Sequence, residues 1–82
     1  MSLHSRLEWR CRRGTKELDL LLQTWLAQAF DLSSEAEQQV FVALLDWPDD
    51  KLGRLLLGQD VTNDMELNAL VRKIRALSLS HP

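Results

Sequence analysis

Lys16-Glu17-Leu18-Asp19-Leu20-Leu21-Leu22-Gln23-Thr24-Trp25-Leu26-Ala27-Gln28-Ala29-Phe30 decides the fold class. Leu18, Leu21, Leu22, Trp25 and Ala29 recur at the spacing of one helical face, and Leu26 and Phe30 widen the stripe. An apolar stripe this broad predicts a central helix over about Lys16 to Phe30 with neighbours on two sides. Asp31-Leu32-Ser33 then breaks the pattern.

Working outward, Ser34-Glu35-Ala36-Glu37 has the form of a capping box, with Ser34 as N-cap and Glu37 reaching back to it. A third helix is expected from there to about Leu45, burying Val40, Phe41, Leu44 and Leu45. Asp46-Trp47-Pro48-Asp49 marks a turn, because proline suits the start of a helix and not its interior. A short fourth helix carries Leu52, Leu55 and Leu56, and Gly58 is its expected stop. Asn63-Asp64-Met65-Glu66 reads as a second capping box. It opens a fifth helix with the stripe Leu67, Leu70, Val71, Ile74 and Leu77. The tail from Ser78 to Pro82 is expected to fray.

On the N-terminal side, a first helix from about Leu3 to Arg12 offers Leu3, Leu7, Trp9 and Cys11 as apolar contacts, and Gly14 is its expected stop. No stretch alternates with period two, so no sheet is expected. The prediction is an all-α, compact five-helix bundle, a single small domain over residues 1–82 with a radius of gyration of roughly 12 Å.

Size and composition narrow the function. The chain has 82 residues, 45% apolar and 27% charged, with a formal net charge of -2. A core this small leaves little room for an enclosed substrate cavity, which favours a binding surface over an active site. Met1-Ser2-Leu3-His4-Ser5-Arg6 lacks the apolar run of a signal peptide, and no stretch reaches the ~20 apolar residues of a membrane span. A single cysteine, Cys11, precludes an internal disulfide and fits a reducing, cytoplasmic location. Cys11, His4 and His81 show no ligand spacing, so no metal site is expected. Cys11 itself reads as a small packed hydrophobe, although neighbouring arginines could also activate it. Asp46-Trp47-Pro48-Asp49-Asp50 reads as a solvated, capping turn rather than a cation site.

Charge is unevenly distributed. Residues 1–17 hold five basic residues against two acidic ones, a net of +3, and residues 18–82 hold five basic against ten acidic, a net of -5. This asymmetry directs attention to Trp9-Arg10-Cys11-Arg12-Arg13-Gly14-Thr15-Lys16-Glu17-Leu18-Asp19. Arginine forks suit carboxylates, phosphates or backbone carbonyls, and glycine lets another backbone approach. On chemistry alone the segment reads either as a docking corner or as an ordinary helix turn. In the second reading Gly14 is a stop, Glu17 a cap and the arginines a solvated face.

The segment Arg13-Gly14-Thr15-Lys16-Glu17 resembles the Arg-Gly-x-x-Glu signature of the succinate dehydrogenase assembly factors of the SdhE type. The likeness extends to Trp9, Cys11, Arg12 and Glu17-Leu18-Asp19. It continues through Leu32-Ser33-Ser34, Phe41-x-x-Leu44-Leu45, Asp64-x-Glu66-Leu67 and Val71-Arg72, and so covers nearly the whole chain. Thr15 departs from the methionine or other apolar residue common at that position.

The resemblance implies a chaperone-like factor, not an enzyme. It would bind the flavoprotein subunit of succinate dehydrogenase, and in bacteria also that of fumarate reductase. There it would promote covalent attachment of FAD to the client, with no cofactor held tightly by this chain. It further implies that Arg13, Gly14 and Glu17 form the core of the contact, with Trp9, Arg12 and Asp19 flanking or supporting it. Two other functions fit some of the residues. Trp9 amid Arg6, Arg10, Arg12 and Arg13 suggests a nucleic-acid-binding or antitoxin-like regulator, against which stands the acidic pI of about 5.6. A chain that handles FAD directly is the other, but no dinucleotide fingerprint is present.

Overall fold

In a computed structural model, which describes residues 2–79, five helices follow one another: α1 (Leu3–Arg10), α2 (Lys16–Gln28), α3 (Glu35–Leu44), α4 (Asp49–Leu56) and α5 (Met65–Leu79). A single 3-10 turn, Phe30–Leu32, links α2 to α3. No strand occurs among the described residues. α2 is central, packing against α5, α1, α4 and the 3-10 turn, while α5 also covers α3 and α4. The radius of gyration is 11.7 Å, in agreement with the value expected from chain length.

The apolar stripes meet as their spacing predicts. Leu18, Leu21, Leu22, Trp25 and Leu26 of α2 are buried against Phe41 and Leu44 of α3, Leu52, Leu55 and Leu56 of α4, and Leu67, Leu70, Val71 and Ile74 of α5. Val40, Ala29 and Leu77 are only partly buried at the margin of this core. Phe30 packs on Phe41 with centroids 5.7 Å apart, a tilted pairing favourable to aromatic quadrupoles. The indole N–H of Trp25 is buried without a hydrogen-bond partner, a cost of roughly 1–3 kcal/mol that burial of the large ring offsets.

The helix ends follow local chemistry, with several shifts from expectation. Ser34 caps α3 by accepting from the Glu37 amide, and the Glu37 carboxylate is held by Lys73 of α5 at 2.6 Å. α4 ends as expected at Gly58, whose φ of +85° is the left-handed geometry glycine adopts readily. The amides of Gln59 and Gly58 return to the carbonyls of Arg54 and Leu55, the paired bonds of a Schellman motif. Pro48 sits at the N-cap of α4, one residue before the first turn.

The cap of α5 is Asp64 rather than Asn63. Its Oδ1 accepts from the amides of Glu66 and Leu67, at 3.0 and 3.1 Å. α2 stops at Gln28, short of Phe30, because side chains take up the carbonyls that follow. The Ser33 hydroxyl donates to Ala29 O at 2.8 Å and the Gln38 amide to Phe30 O at 2.7 Å. α1 ends at Arg10 and not Arg12, as the amides of Cys11 and Arg12 fold back onto Glu8 and Trp9 in a tightened last turn. α5 takes in Ser78, and Ser80 to Pro82, the rest of the tail expected to fray, lie outside the described residues. Among the described residues, Leu7 of α1 and its C-cap Cys11 are buried in the core, whereas Leu3 and Trp9 are exposed, at 62% and 65%.

Candidate functional site: the corner between α1 and α2

Five residues, Cys11 to Thr15, carry the chain from α1 into α2. Gly14 has φ +82°, and a Cβ built on it would meet nothing within 4 Å. It therefore serves the turn, four residues beyond the helix, rather than stopping α1. Its backbone faces open space. Thr15 holds the N-cap position of α2, but its hydroxyl caps nothing. The turn is closed instead by Asp19, whose Oδ1 accepts from the Arg13 amide at 2.6 Å.

The Arg13 side chain turns inward, with only 14% of it exposed. Its Nε donates to Arg10 O at 2.9 Å, one Nη to Trp47 O at 3.2 Å and Asp49 Oδ1 at 2.9 Å, and the other Nη to Leu45 O. One guanidinium thus satisfies carbonyls at the C-terminal ends of both α1 and α3, where the helix dipole favours a cation. It also reaches a carboxylate in the first turn of α4. The fork of donors makes this possible, and a lysine could not reproduce it. Beside it, Arg10 pairs with Asp46. The stretch from Asp46 to Asp50 is therefore a capping turn whose carboxylates also receive two arginines of α1 and its turn. Arg10, Arg12, Arg13, Leu45 and Asp49 line an open cleft of about 390 Å3 beneath the corner.

The remaining predicted site residues point outward. Glu17 is exposed in the first turn of α2 and enters none of the described ion pairs. Arg12 is exposed and places its guanidinium 5.2 Å from the centroid of the Trp9 ring, a cation–π contact between two surface side chains. Trp9 is thus a surface residue and not a packing one. The structure brings Trp9, Arg12, Gly14 and Glu17 together as the exposed part of the corner, with Arg13 and Asp19 beneath it.

Cys11 is fully buried under the same corner. Burial pushes its thiol up from 9.0 to about 12, against the opposing pull of the nearby Arg13 and Arg10 charges. Desolvation of the thiolate outweighs the arginines, so the thiol stays protonated at neutral pH.

His4, considered above only for metal-ligand spacing, makes a packing contact at the margin of the core. Its Nε2 donates to Leu26 O at 3.1 Å, its ring meets Phe30 edge-on, and Asp31 lies 3.8 Å away. The spacing of α1 held the signal, since His4, Leu7 and Cys11 fall on one face. Among the described residues no cluster of metal-ligating side chains occurs, and no helix is long and apolar enough to cross a membrane.

Fold and site together define a small helical domain whose distinctive surface is an internally braced, partly basic corner. The profile of the family described as "Flavinator of succinate dehydrogenase" matches residues 5–78, and the chain belongs to that family. It is 47% identical over 73 residues to the FAD assembly factor SdhE of Xylella fastidiosa strain 9a5c, covering 89% of this chain and 75% of that one. It is 43% identical over 77 residues to the protein of the same name from Methylococcus capsulatus, covering 94% and 93%. For the Haemophilus ducreyi protein of that name the identity is 39% over 71 residues, covering 87% of each. The resemblance drawn from Arg13 to Glu17 is thereby confirmed at the level of the family.

Proposed function

We propose that this chain is an assembly factor that docks on the flavoprotein subunit of succinate dehydrogenase through the α1–α2 corner and promotes covalent attachment of FAD there. The observation that carries the reading is the exposed, pre-ordered corner of Trp9, Arg12, Gly14 and Glu17 in a member of the flavinator family. Gly14 admits a close backbone approach from the client, and Glu17 and Arg12 offer charges of both signs for pairing. Arg13 and Asp19 contribute by holding those groups in position.

The factor orients reactive groups that belong to the client and its flavin, which lowers a barrier without a catalytic residue of its own. It is not an enzyme, and FAD is attached to the client rather than held tightly here. The flavoprotein of fumarate reductase is a second client of the same chemistry. The bacterial relatives support a cytoplasmic location. Nucleic acid fits less well: Arg10 and Arg13 are already paired with Asp46 and Asp49, and the chain is net acidic.

The test is affinity capture with the tagged chain, wild type against Glu17→Ala. Wild type is expected to recover the succinate dehydrogenase flavoprotein and the variant to lose it. Equal recovery by Glu17→Ala, and likewise by Gly14→Arg, removes the corner from the contact.

A further inference from the structure

We propose that the α3–α4 turn, from Leu45 to Asp49, is a working part of the docking corner, with Asp49 and Arg13 acting as positioning residues. This inference rests on the docking reading above and adds residues far from the signature. Arg13 and Asp49 are 36 residues apart, as are Arg10 and Asp46, so two arginines three residues apart meet two aspartates three residues apart. Both pairs tie the end of α1 to one turn. Of the two, the Arg13 pair is built into the structure. Arg13 also donates to Leu45 O, Trp47 O and Arg10 O, whereas the Arg10–Asp46 pair sits at the surface.

The consequence is mechanical. Besides the fork, residues 12–15 are held by the Asp19 carboxylate at the Arg13 amide and by the Arg12 amide on Trp9 O, while a Cβ on Gly14 would meet nothing within 4 Å and the Thr15 hydroxyl caps nothing. Without the fork, the turn would sample other conformations, and client binding would have to order it again. Asp49 holds one tine of that fork at 2.9 Å while its own carboxylate stays half exposed. Asp49 therefore acts on the corner through Arg13.

The experiment measures affinity of the full chain for the purified apo flavoprotein subunit, and the rate of covalent flavin attachment at saturating factor. Asp49→Asn is expected to weaken binding about threefold, and Arg13→Gln about tenfold or more. The double variant should bind no worse than Arg13→Gln alone, because the Asp49 effect passes through Arg13. Arg13→Lys should recover part of the affinity, and Asp60→Asn, which removes a surface pair with Arg54 away from the corner, should bind as wild type. At saturation every variant should reach the wild-type rate, since the docked corner is ordered by the client.

Amide exchange should quicken at Gly14 to Glu17 while Leu70 and Ile74 in α5 stay protected. A merely structural role would expose both regions together. Wild-type affinity for Asp49→Asn, or losses that add in the double variant, would overturn the proposal. Glu17→Ala is the separate control: if it and Gly14→Arg bind as wild type, docking at the corner is itself wrong and this inference falls with it.

Discussion

Replacing Gly14 by alanine and by asparagine separates the two roles assigned to this residue. At φ +82° an L-residue pays a conformational penalty, while the built Cβ meets nothing within 4 Å, so no clash adds to it. The expected loss for Gly14→Ala is about 1 kcal/mol. For a domain of this length that lowers the thermal midpoint by about 4–8 °C. Asparagine tolerates the left-handed region better, so Gly14→Asn should unfold between alanine and wild type.

Client binding should rank the variants the other way. If a backbone of the flavoprotein approaches Gly14, the larger asparagine side chain obstructs it at least as much as the alanine methyl. Far-UV circular dichroism on heating gives the first order, and titration of the apo flavoprotein gives the second. Two outcomes would refute the reasoning. An unchanged midpoint for Gly14→Ala would contradict the left-handed turn, and affinities that simply follow stability would reduce Gly14 to a turn residue.

Other consequences are simpler. Cys11 should resist alkylation in the folded protein and react on denaturation. Because its folded pKa lies above its unfolded value of about 9, stability should fall as pH rises from about 9 towards 12, and Cys11→Ala should lack that decline. Asp64→Ala removes the acceptor for two amides at the start of α5 and should cost about 1 kcal/mol in denaturant titration. Leu22→Ala, at a fully buried position in α2, should cost about 2–5 kcal/mol with no change in helix content below the transition.

The fold was largely readable because α2 and α5 carry stripes at helical spacing, and leucines at such positions have only the core to enter. Register at the caps was less readable. Asn63 and Asp64 are both good caps, and it is Asp64 that accepts from the amides of Glu66 and Leu67. α1 was over-read: Leu3 and Trp9 are apolar and stand near the right spacing, yet it is Leu7 and Cys11 that are buried.

At the corner, the outward residues could be named from the signature, but the inward turn of Arg13 could not. Three of its four acceptors are backbone carbonyls, of Arg10, Leu45 and Trp47, and carbonyls leave no trace in side-chain identity. The one available sign was the matched spacing of Arg10 and Arg13 with Asp46 and Asp49. That match has meaning only once the two turns are known to meet.

The most direct test of the central claim is the covalent flavin content of the succinate dehydrogenase flavoprotein. It is read as flavin fluorescence of the denatured subunit from a strain lacking this gene. The account predicts that fluorescence falls in the deletion strain, returns with the wild-type gene and does not return with Gly14→Arg. Undiminished covalent flavin in the deletion strain would contradict it.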